Sequence, residues 1–331
     1  MPESLVTGGA GFIGSHVADE LLARGHSVVV LDDLSGGVRG NVPAGARFVA
    51  GSILDESLLA RLFAEHRFDS VFHLAAYAAE GLSHFIRRFN YENNLIGSVN
   101  LINLAVRHEV RRFVFTSSIA VYGRNQLPMT EETPPRPEDP YGIAKHAVEL
   151  DLAAAHETFG LDYVIFRPHN VYGERQNLGD RYRNVIGIFM NRILRGEPLT
   201  IFGDGTQTRA FTHVADVAPL IARAVDVETA RNQVFNVGAD RPCSVNELAR
   251  VVAAAFGVEP RLRYEPARRE VQHAWATHDK ARHLLGEGSG IPLEEGVRRM
   301  AAWARTAGSR ATPRFTAIEI DRGLPPVWRE G

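Results

Sequence analysis

Ser4-Leu-Val-Thr-Gly-Gly-Ala-Gly-Phe-Ile-Gly14 decides the fold of this chain. Its apolar beginning predicts a short β-strand, which runs directly into glycines at positions 8, 11 and 14. Apolar side chains at helical spacing follow as far as Gly25, which would cap the helix. A strand that turns through glycines into a helix lets the backbone approach a pyrophosphate at the helix N-terminus. The stretch therefore predicts the first strand, turn and helix of a dinucleotide-binding fold.

Predicted strands and helices keep alternating to about residue 167, which is typical of an α/β fold with a doubly wound, parallel Rossmann sheet. Beyond Arg167-Pro168 the pattern loosens into helices and short strands separated by glycine and proline. We expect an NAD-binding domain over residues 1–167 and a smaller substrate-binding lobe over 168–308, fed by excursions from the sheet. A C-terminal extension over 309–331 would be either an arm packed on the body or disordered.

The longer helices of this interpretation have approximate bounds. They are His84–His108, Tyr141–Phe159, Asn184–Arg195, Val214–Val227, Val245–Phe256 and Leu293–Arg305. A short strand, Val234–Val237, is expected in the second lobe.

Composition excludes several classes of protein. The 331 residues hold 37 Lys+Arg against 39 Asp+Glu, so charge gives no reason to expect nucleic acid or a membrane surface as partner. The single cysteine, Cys243, rules out an internal disulfide framework and offers no thiol cluster for a metal. No apolar run reaches the roughly 18 residues that would span a bilayer, and no signal sequence begins the chain. We expect a cytoplasmic enzyme without a metal.

Asp32 ends the second predicted strand, 18 residues after Gly14. A carboxylate at that place accepts hydrogen bonds from ribose hydroxyls and repels a 2′-phosphate, which favours NAD over NADP. Arg39 in the following loop is the exception to consider, since an arginine there could bind that phosphate. A solvated loop residue is its simpler interpretation.

Tyr141 and Lys145 stand one turn apart on a predicted helix, so both side chains can point into one cleft. A cation beside the phenol favours the phenolate, and a tyrosine in that state can act as a base at neutral pH. Ser118 follows an apolar strand whose carboxyl end lies at the ligand-binding edge of a parallel sheet. The three residues are candidate catalytic groups.

With these motifs in view, the chain resembles the extended short-chain dehydrogenase/reductase family, and in particular its nucleotide-sugar epimerases and dehydratases. Further motifs that carry the resemblance stand at His73-Leu-Ala-Ala76, Asn93-Asn94, Arg167-Pro-His-Asn-Val-Tyr-Gly173 and Gly203-Asp-Gly-Thr-Gln-Thr-Arg209. The resemblance runs from about Ser4 to Arg305. It implies an NAD-dependent UDP-sugar 4-epimerase, in which Ser118 and Tyr141 contact the sugar 4-hydroxyl and Lys145 the nicotinamide ribose.

The resemblance also assigns the remaining site residues. For the cofactor these are Gly8, Gly11, Phe12, Ile13, Gly14, Asp32, Ser52, Ile53, Leu74, Ala75, Ala76, Asn94 and Thr116, with Tyr141 and Lys145. For the UDP-sugar they are Ser118, Asn170, Asn184, Leu199, Phe202, Arg209, Arg268 and Ala274. At Ser52 the family usually has aspartate, so backbone or water would contact the adenine amino group. Arg209 and Arg268 would clamp the diphosphate as guanidinium forks; a surface ion pair is their alternative, with Glu265 and Glu270 beside Arg268.

Reaction classes separate at Ile119-Ala120. Dehydratases of the family carry an acid/base Asp-Glu pair there, and the glucuronate decarboxylases usually place Glu at the second position. Neither residue of this chain can carry a proton, which leaves 4-epimerisation through a transient 4-keto sugar. The alternatives are a UDP-glucuronate 4-epimerase, a net NAD(P)-dependent oxidoreductase or dehydratase of the same fold, and a catalytically retired NAD-sensing protein. The last would be expected to have lost Tyr141 or Lys145.

Two finer expectations concern the sugar and the assembly. Ala274 aligns where epimerases restricted to UDP-glucose and UDP-galactose carry a bulky tyrosine, so N-acetylhexosamines would fit as well, while Arg175 could receive the carboxylate of a uronic acid. Which UDP-sugar is used stays open. A homodimer is expected because the two long helices carry apolar residues beyond the stripe that covers the sheet. Those residues are Leu95, Val99, Ile102, Val148, Leu152 and Ala155.

Overall fold

In the computed structural model, residues 1–268, 270–286, 288–312 and 314–329 are described. Pro313, Glu330 and Gly331, which belong to the expected C-terminal extension, lie outside the described residues, as do Arg269 and Glu287. No helix in the described ranges is long and apolar enough to cross a membrane.

A parallel sheet forms the centre of the first 168 residues. Its strands are β1 (Glu3–Thr7), β2 (Ser27–Asp32), β3 (Arg47–Ala50), β4 (Ser70–His73), β5 (Arg112–Thr116) and β6 (Tyr163–Pro168), joined later in the chain by β11 (Gln233–Val237). The strand order is β11-β6-β5-β4-β1-β2-β3, so the sequence winds outward from β1 in both directions. The predicted doubly wound Rossmann sheet is confirmed. The strand expected in the second lobe at Val234–Val237 is instead the edge of the main sheet, paired with β6.

Helices cover both faces of the sheet. They are α1 (Phe12–Ala23), α2 (Glu56–Glu65), α3 (Glu80–Ser83), α4 (Arg87–Tyr91), α5 (Gly97–Arg107) and α6 (Pro140–Phe159). Alternate side chains of each strand enter opposite layers: Val6, Val30 and Val114 pack with α1, while Leu5, Val29 and Phe113 pack with α2, α5 and α6. Buried parallel strands of this kind read as continuous apolar runs, which is why the sequence indicates them well.

The long helix expected over roughly His84–His108 is present from Arg87 to Arg107, but not as one regular α-helix. A π-helical turn, Glu92–Ile96, separates α4 from α5. The wider turn carries Asn94, whose amide oxygen accepts a hydrogen bond from the Tyr77 backbone N–H at 2.8 Å and whose amide nitrogen donates to the Tyr77 carbonyl at 3.1 Å. Local turns of this type often occur at functional sites.

The rest of the described chain contributes short strands and six helices. The strands are β7 (Val171–Tyr172), β8 (Leu199–Phe202), β9 (Thr208–Ala210), β10 (Thr212–His213), β12 (Pro242–Ser244), β13 (Leu262–Glu265) and β14 (His273–Ala274). The helices are α7 (Val185–Leu194), α8 (Ala218–Arg223), α9 (Val245–Phe256), α10 (Asp279–Leu285), α11 (Leu293–Ala307) and the short C-terminal α12 (Pro326–Arg329). Of these, α8 and α10 pack on the core of the main sheet and the others contribute to the second lobe. The longest, α7, α9 and α11, pack around a common apolar core.

Of two helices that the sequence predicts after β6, one is confirmed and the other is shorter than expected. Val245–Phe256 was confirmed to the residue, because Ser244 and Glu247 form a capping box and Gly257 adopts the left-handed conformation that ends the helix. The helix expected over Val214–Val227 is a 3₁₀ turn, Val214–Asp216, followed by α8. Pro219 lies in the first turn of α8, where its missing N–H costs nothing, and favours a fresh start of the helix there.

Candidate active site

The glycines of the first turn form a cradle with no room for side chains. A Cβ on Gly14 would come within 2.2 Å of the Gly8 carbonyl oxygen, and one on Gly11 within 2.9 Å of the same atom. Gly8 itself has a φ of +70°, and a Cβ there would be 2.7 Å from the backbone nitrogen of Ala75. The backbone of β1, α1 and the loop after β4 is thereby brought as close as an approaching pyrophosphate requires.

Asp32 lies where the adenosine ribose is expected, at the end of β2. Its carboxylate accepts hydrogen bonds from the backbone N–H groups of Ala10 at 3.0 Å and Leu34 at 2.8 Å. Burial raises the pKa of Asp32, although these bonds oppose the shift. Arg39 is exposed, stacks its guanidinium on Phe48 at 4.3 Å and is not among the described residues that line the cleft. This geometry favours the solvated interpretation of Arg39.

Tyr141 is positioned by the start of α6. Asp139 caps this helix by accepting a hydrogen bond from the Gly142 N–H at 2.9 Å, and Pro140 occupies the first turn. The Tyr141 hydroxyl lies beside the Ser118 side chain, which lowers the pKa of the phenol, and both residues are buried. Ser118 also caps the 3₁₀ turn that follows β5. The start of α6 therefore packs against the end of β5, and this contact places the Tyr141 phenol beside the Ser118 hydroxyl.

Lys145 lies one turn further along α6 and is almost fully buried. Its ammonium donates to the Thr116 carbonyl oxygen at 2.8 Å and lies 5.9 Å from the centre of the Tyr141 ring. The hydroxyl oxygen of Thr116 is buried without a hydrogen-bond partner among the described residues. Because Thr116 also lines the cleft, a buried polar atom without a partner there fits a site that a ligand completes.

The electrostatics of Tyr141 differ from the simple expectation. Burial raises the pKa of Tyr141, the carboxylates of Glu80 and Asp139 raise it further, and the Ser118 hydrogen bond lowers it. Burial also lowers the pKa of Lys145 to about 7, although Glu149 opposes this. In the protein alone, burial therefore weakens the positive charge of Lys145 at neutral pH. The sequence interpretation had relied on this charge to favour the phenolate of Tyr141.

A buried network of polar side chains connects the elements that carry Ser118 and Lys145. Glu149 accepts hydrogen bonds from the Ser117 hydroxyl at 2.5 Å and from Arg167 Nε at 2.9 Å. Arg167 Nη1 in turn donates to the Tyr122 hydroxyl at 2.7 Å. Burial works against ionisation of Glu149, yet the bonds from Arg167 and Ser117 hold its pKa below the usual range. The network ties α6 to β6 and to the turn that carries Ser118.

Arg209 and Arg268 meet at the other end of the cleft. Both approach the carboxylate of Glu270, Arg268 at 3.1 Å and Arg209 at 3.9 Å. The Arg268 guanidinium also stacks on Phe202 at 4.7 Å. Two arginines on one carboxylate leave net positive charge there, which suits a diphosphate. Glu265, the other partner considered for Arg268, pairs with Arg263 instead.

A continuous cleft of about 460 Å³ joins these groups. Most of the residues predicted for cofactor and substrate line it, from Gly8, Gly11, Phe12, Ile13, Gly14, Asp32, Ser52 and Ile53 through Leu74, Ala75, Ala76, Thr116, Ser118, Tyr141 and Lys145 to Asn170, Asn184, Phe202, Arg209 and Arg268.

Three predicted residues are not among the described residues that line the cleft: Asn94, Leu199 and Ala274. Asn94 is hydrogen-bonded to the backbone of Tyr77, and Tyr77 does line the cleft. Leu199 is buried in the core of the second lobe. Ala274 packs in a small apolar cluster with Ile119 and Val121, so the strand that carries it turns its methyl group into the protein.

Sequence reasoning missed Glu80, Asp139 and Arg183, which line the cleft beside Tyr141. Arg183 forms an ion pair with Asp180 and stacks on Tyr77 at 5.1 Å. Burial raises the pKa of Asp139 to about 7, with Glu80 adding to the shift. Asp139 could have been found as the N-cap before Pro140-Tyr141. Glu80 had only one signal, an acidic residue shortly after the strand motif His73-Leu-Ala-Ala76.

No group of three or more His, Cys, Asp or Glu side chains in the described ranges could hold a metal ion.

Comparisons with known proteins agree with this geometry. The sequence model of the NAD dependent epimerase/dehydratase family matches residues 4–238. A UDP-glucose 4-epimerase of Mycolicibacterium smegmatis is 36% identical over 310 residues, covering 91% of this chain and 98% of that protein. The crystal structure of UDP-glucose 4-epimerase with UDP-glucose from Thermotoga maritima superposes with a TM-score of 0.88 at 36% identity, covering 92% of this chain and 99% of the other. That of the Thermus thermophilus UDP-glucose 4-epimerase complex with NAD gives 0.85 at 33% identity, with the same coverage.

Proposed function

The chain belongs to the NAD-dependent epimerase/dehydratase family, and from this premise we propose that it interconverts the 4-epimers of a UDP-hexose, UDP-glucose and UDP-galactose, with NAD as cofactor. One observation carries the proposal: a single cleft has the neighbouring side chains of Tyr141 and Ser118 at one end and the arginine pair Arg209 and Arg268 at the other. A UDP-hexose would fill this cleft with its 4-hydroxyl at the first end and its diphosphate at the second.

The cofactor would lie along the glycine cradle. Asp32 would receive the adenosine ribose, Ser52 and Ile53 would flank the adenine, and Leu74 to Ala76 would face the middle of the molecule. Lys145 and Thr116 would bind the nicotinamide ribose, which would give the orphaned Thr116 hydroxyl a partner. Bound there, NAD would accept a hydride from carbon 4 of the sugar and return it.

Tyr141 would remove the proton of the sugar 4-hydroxyl, with Ser118 holding that hydroxyl by a hydrogen bond. The ligand-free pKa of Tyr141 is raised, so the positive charge of the oxidised nicotinamide would have to favour the phenolate in the complex. Arg209, Arg268 and Asn170 would keep the diphosphate while the 4-keto sugar turns to present its other face. Tyr141 would then return the proton to the 4-oxygen, and because the hydride also goes back to carbon 4, no cofactor is consumed. Binding energy spent on the nucleotide leaves the reacting ring free to turn.

The residues that follow Ser118 argue against the other reactions of the family. Ile119 is buried in an apolar cluster and Ala120 follows it in the 3₁₀ turn, so neither can exchange a proton. Removal of water across carbons 5 and 6 therefore lacks its usual acid/base pair in this chain. The uronic acid alternative weakens too, because Arg175 is paired with Asp19 at 2.6 Å and is not among the described residues of the cleft wall.

Incubation with UDP-glucose tests the proposal. We expect UDP-galactose to appear, with no lasting absorbance of reduced nicotinamide. A stoichiometric, lasting absorbance would mean a net oxidoreductase, and NAD binding without turnover of any UDP-hexose would mean a retired enzyme. UDP-N-acetylglucosamine belongs in the same assay. Its acceptance was expected from Ala274, but the buried position of that residue means that the necessary space would have to come from another part of the wall.

We also propose a homodimer, on a different set of residues from that first considered. Val148, Leu152, Ala155 and Ile102 belong to the core beside the sheet. The large apolar residues that stay exposed are Ile143 at 40%, Leu150 at 59% and the terminal Phe159 at 68% on α6, and Ile96 at 49% just before α5. Ile143, Ala147, Leu150 and Ala154 follow one another at three- and four-residue spacing, which makes one stripe along α6.

Leu150→Glu tests this stripe by the mass in solution. At micromolar protein we expect the wild type to have twice the mass of the chain and Leu150→Glu to have the monomer mass. Val258→Glu changes an exposed apolar side chain on the second lobe and should leave the mass unchanged. A monomeric wild type would contradict the proposed dimer.

A further inference from the structure

Glu80 occupies the part of the cleft between the two chemical ends of the site. It begins α3, directly after the loop that follows β4, and its side chain is exposed within the cleft. On one side its charge acts on Tyr141 and Asp139. On the other side it interacts with Arg209, Arg268 and Glu270. If the reacting hydroxyl is at Tyr141 and the diphosphate at the arginines, the hexose ring has to lie against Glu80.

The negative charge at this place is not neutralised by a direct partner. In the described part of the chain, the Glu80 carboxylate makes neither a hydrogen bond nor an ion pair within 4 Å. Arg183, which lines the cleft beside Tyr141, is already paired with Asp180. Asp139, also beside Tyr141, adds a second carboxyl group to the same region. Charge therefore changes sign along the cleft, from positive at the expected diphosphate to negative at the expected hexose.

We propose that Glu80 selects the sugar, accepting hydrogen bonds from the hydroxyls of a neutral hexose and repelling the carboxylate of a hexuronate. A carboxylate has room for several hydroxyl donors, and an ionised acceptor makes stronger bonds than a neutral one. The carboxylate of a hexuronate would instead be brought close to the Glu80 carboxylate, and like charges at short distance repel each other. This inference rests on the proposed UDP-hexose epimerisation and names the sugar class that the same site takes.

Glu80→Gln is the decisive variant, because it keeps the shape and removes the charge. The measurement is kcat/KM for UDP-glucose and for UDP-glucuronate at about pH 8.5, well above the ordinary pKa of a glutamate, because burial raises the pKa of Glu80. We expect the wild type to prefer UDP-glucose strongly. In Glu80→Gln the ratio of the two values should move toward UDP-glucuronate by about tenfold or more, as expected when one nearby like charge is removed.

Glu265→Gln is the matched control. It also turns a glutamate into a glutamine, but Glu265 pairs with Arg263 and is not among the described residues of the cleft wall. Its ratio should stay that of the wild type. The affinity of UDP, which has no sugar, should change far less in Glu80→Gln than the relative affinity of the two UDP-sugars, measured by competition.

The outcomes separate this inference from the proposed function. A wild type that epimerises UDP-glucose and UDP-glucuronate equally well, or a Glu80→Gln ratio equal to that of Glu265→Gln, overturns the role of Glu80 and leaves the epimerase proposal standing. A wild type that turns over no UDP-hexose overturns the proposed function itself. Competition binding still answers the question about Glu80 in that case, since unchanged relative affinities of the two UDP-sugars would overturn it as well.

Discussion

At the scale of the residue, the proposed chemistry depends on one oxygen of Tyr141. Tyr141→Phe keeps the buried ring and removes only the ionisable hydroxyl, so NAD should still bind while epimerisation falls by at least roughly 1000-fold. Ser118→Ala should lose 10- to 1000-fold, in line with one positioned hydrogen bond. Turnover of UDP-glucose and retention of NAD on a desalting column measure the two effects. Substantial activity in Tyr141→Phe would remove this residue from the role of base.

Lys145 should leave a signature in the stability of the protein without nucleotide. Burial lowers its pKa to about 7, below the 10.5 of an unfolded lysine. Between these values the unfolded chain binds more protons than the folded one, so this group makes stability rise with pH, by at most about 1.4 kcal/mol per pH unit. Lys145→Met removes that contribution.

Urea unfolding of both proteins from about pH 7 to 10 tests this expectation. The free energy of unfolding of Lys145→Met should exceed that of the wild type most at pH 7, and the difference should shrink as the pH rises. A difference that is independent of pH would mean that the ammonium stays fully charged in the folded protein.

At the scale of the element, α6 is held to β6 by the Glu149–Arg167 pair, in which both side chains are only 5% exposed. Glu149→Ala leaves Arg167 charged and buried, a change that typically costs about 3–5 kcal/mol. Urea unfolding followed by tryptophan fluorescence measures it. Glu92→Ala is the control, because its pair with Arg88 is on the surface, where water and salt screen the charges, and should contribute far less. Equal losses in the two variants would contradict a structural role for the buried pair.

Some secondary-structure elements could be predicted from the sequence and others could not. The strands of the sheet and α9 were predictable because their signals are local: continuous apolar runs, a capping box and a terminal glycine. The π turn before α5 was not, since it depends on hydrogen bonds between Asn94 and Tyr77, which are 17 residues apart. The inward methyl group of Ala274 follows from the pairing of β14 with β9, and Glu80 at the sugar end depends on how the lobes enclose the cleft. The spacing of sequence motifs predicts neither the orientation of Ala274 nor the position of Glu80.

At the scale of the whole molecule, the C-terminal extension returns to the two halves that form the cleft. Phe315 packs on Phe89 at 4.9 Å, and the Glu319 carboxylate accepts hydrogen bonds from the backbone N–H groups of Arg88 and Phe89 at 2.8 Å. Trp328 is 4% exposed and lies 5.8 Å from the Arg268 guanidinium. The arm thereby buries the outer side of a residue that is expected to bind the diphosphate.

Trp328→Ala should therefore weaken the binding of UDP by about tenfold, because Arg268 would keep its charge but lose one of the two aromatic rings that hold it, an interaction of roughly 1–2 kcal/mol. NAD binds mainly at the glycine cradle, so its affinity should change less. Trp303→Ala is the control, since this tryptophan packs on the core of the second lobe. It should lower stability without changing the affinity of UDP, measured by calorimetry on protein shown to be folded by circular dichroism. An unchanged affinity in Trp328→Ala would mean that the arm stabilises the fold and takes no part in holding Arg268 for the diphosphate.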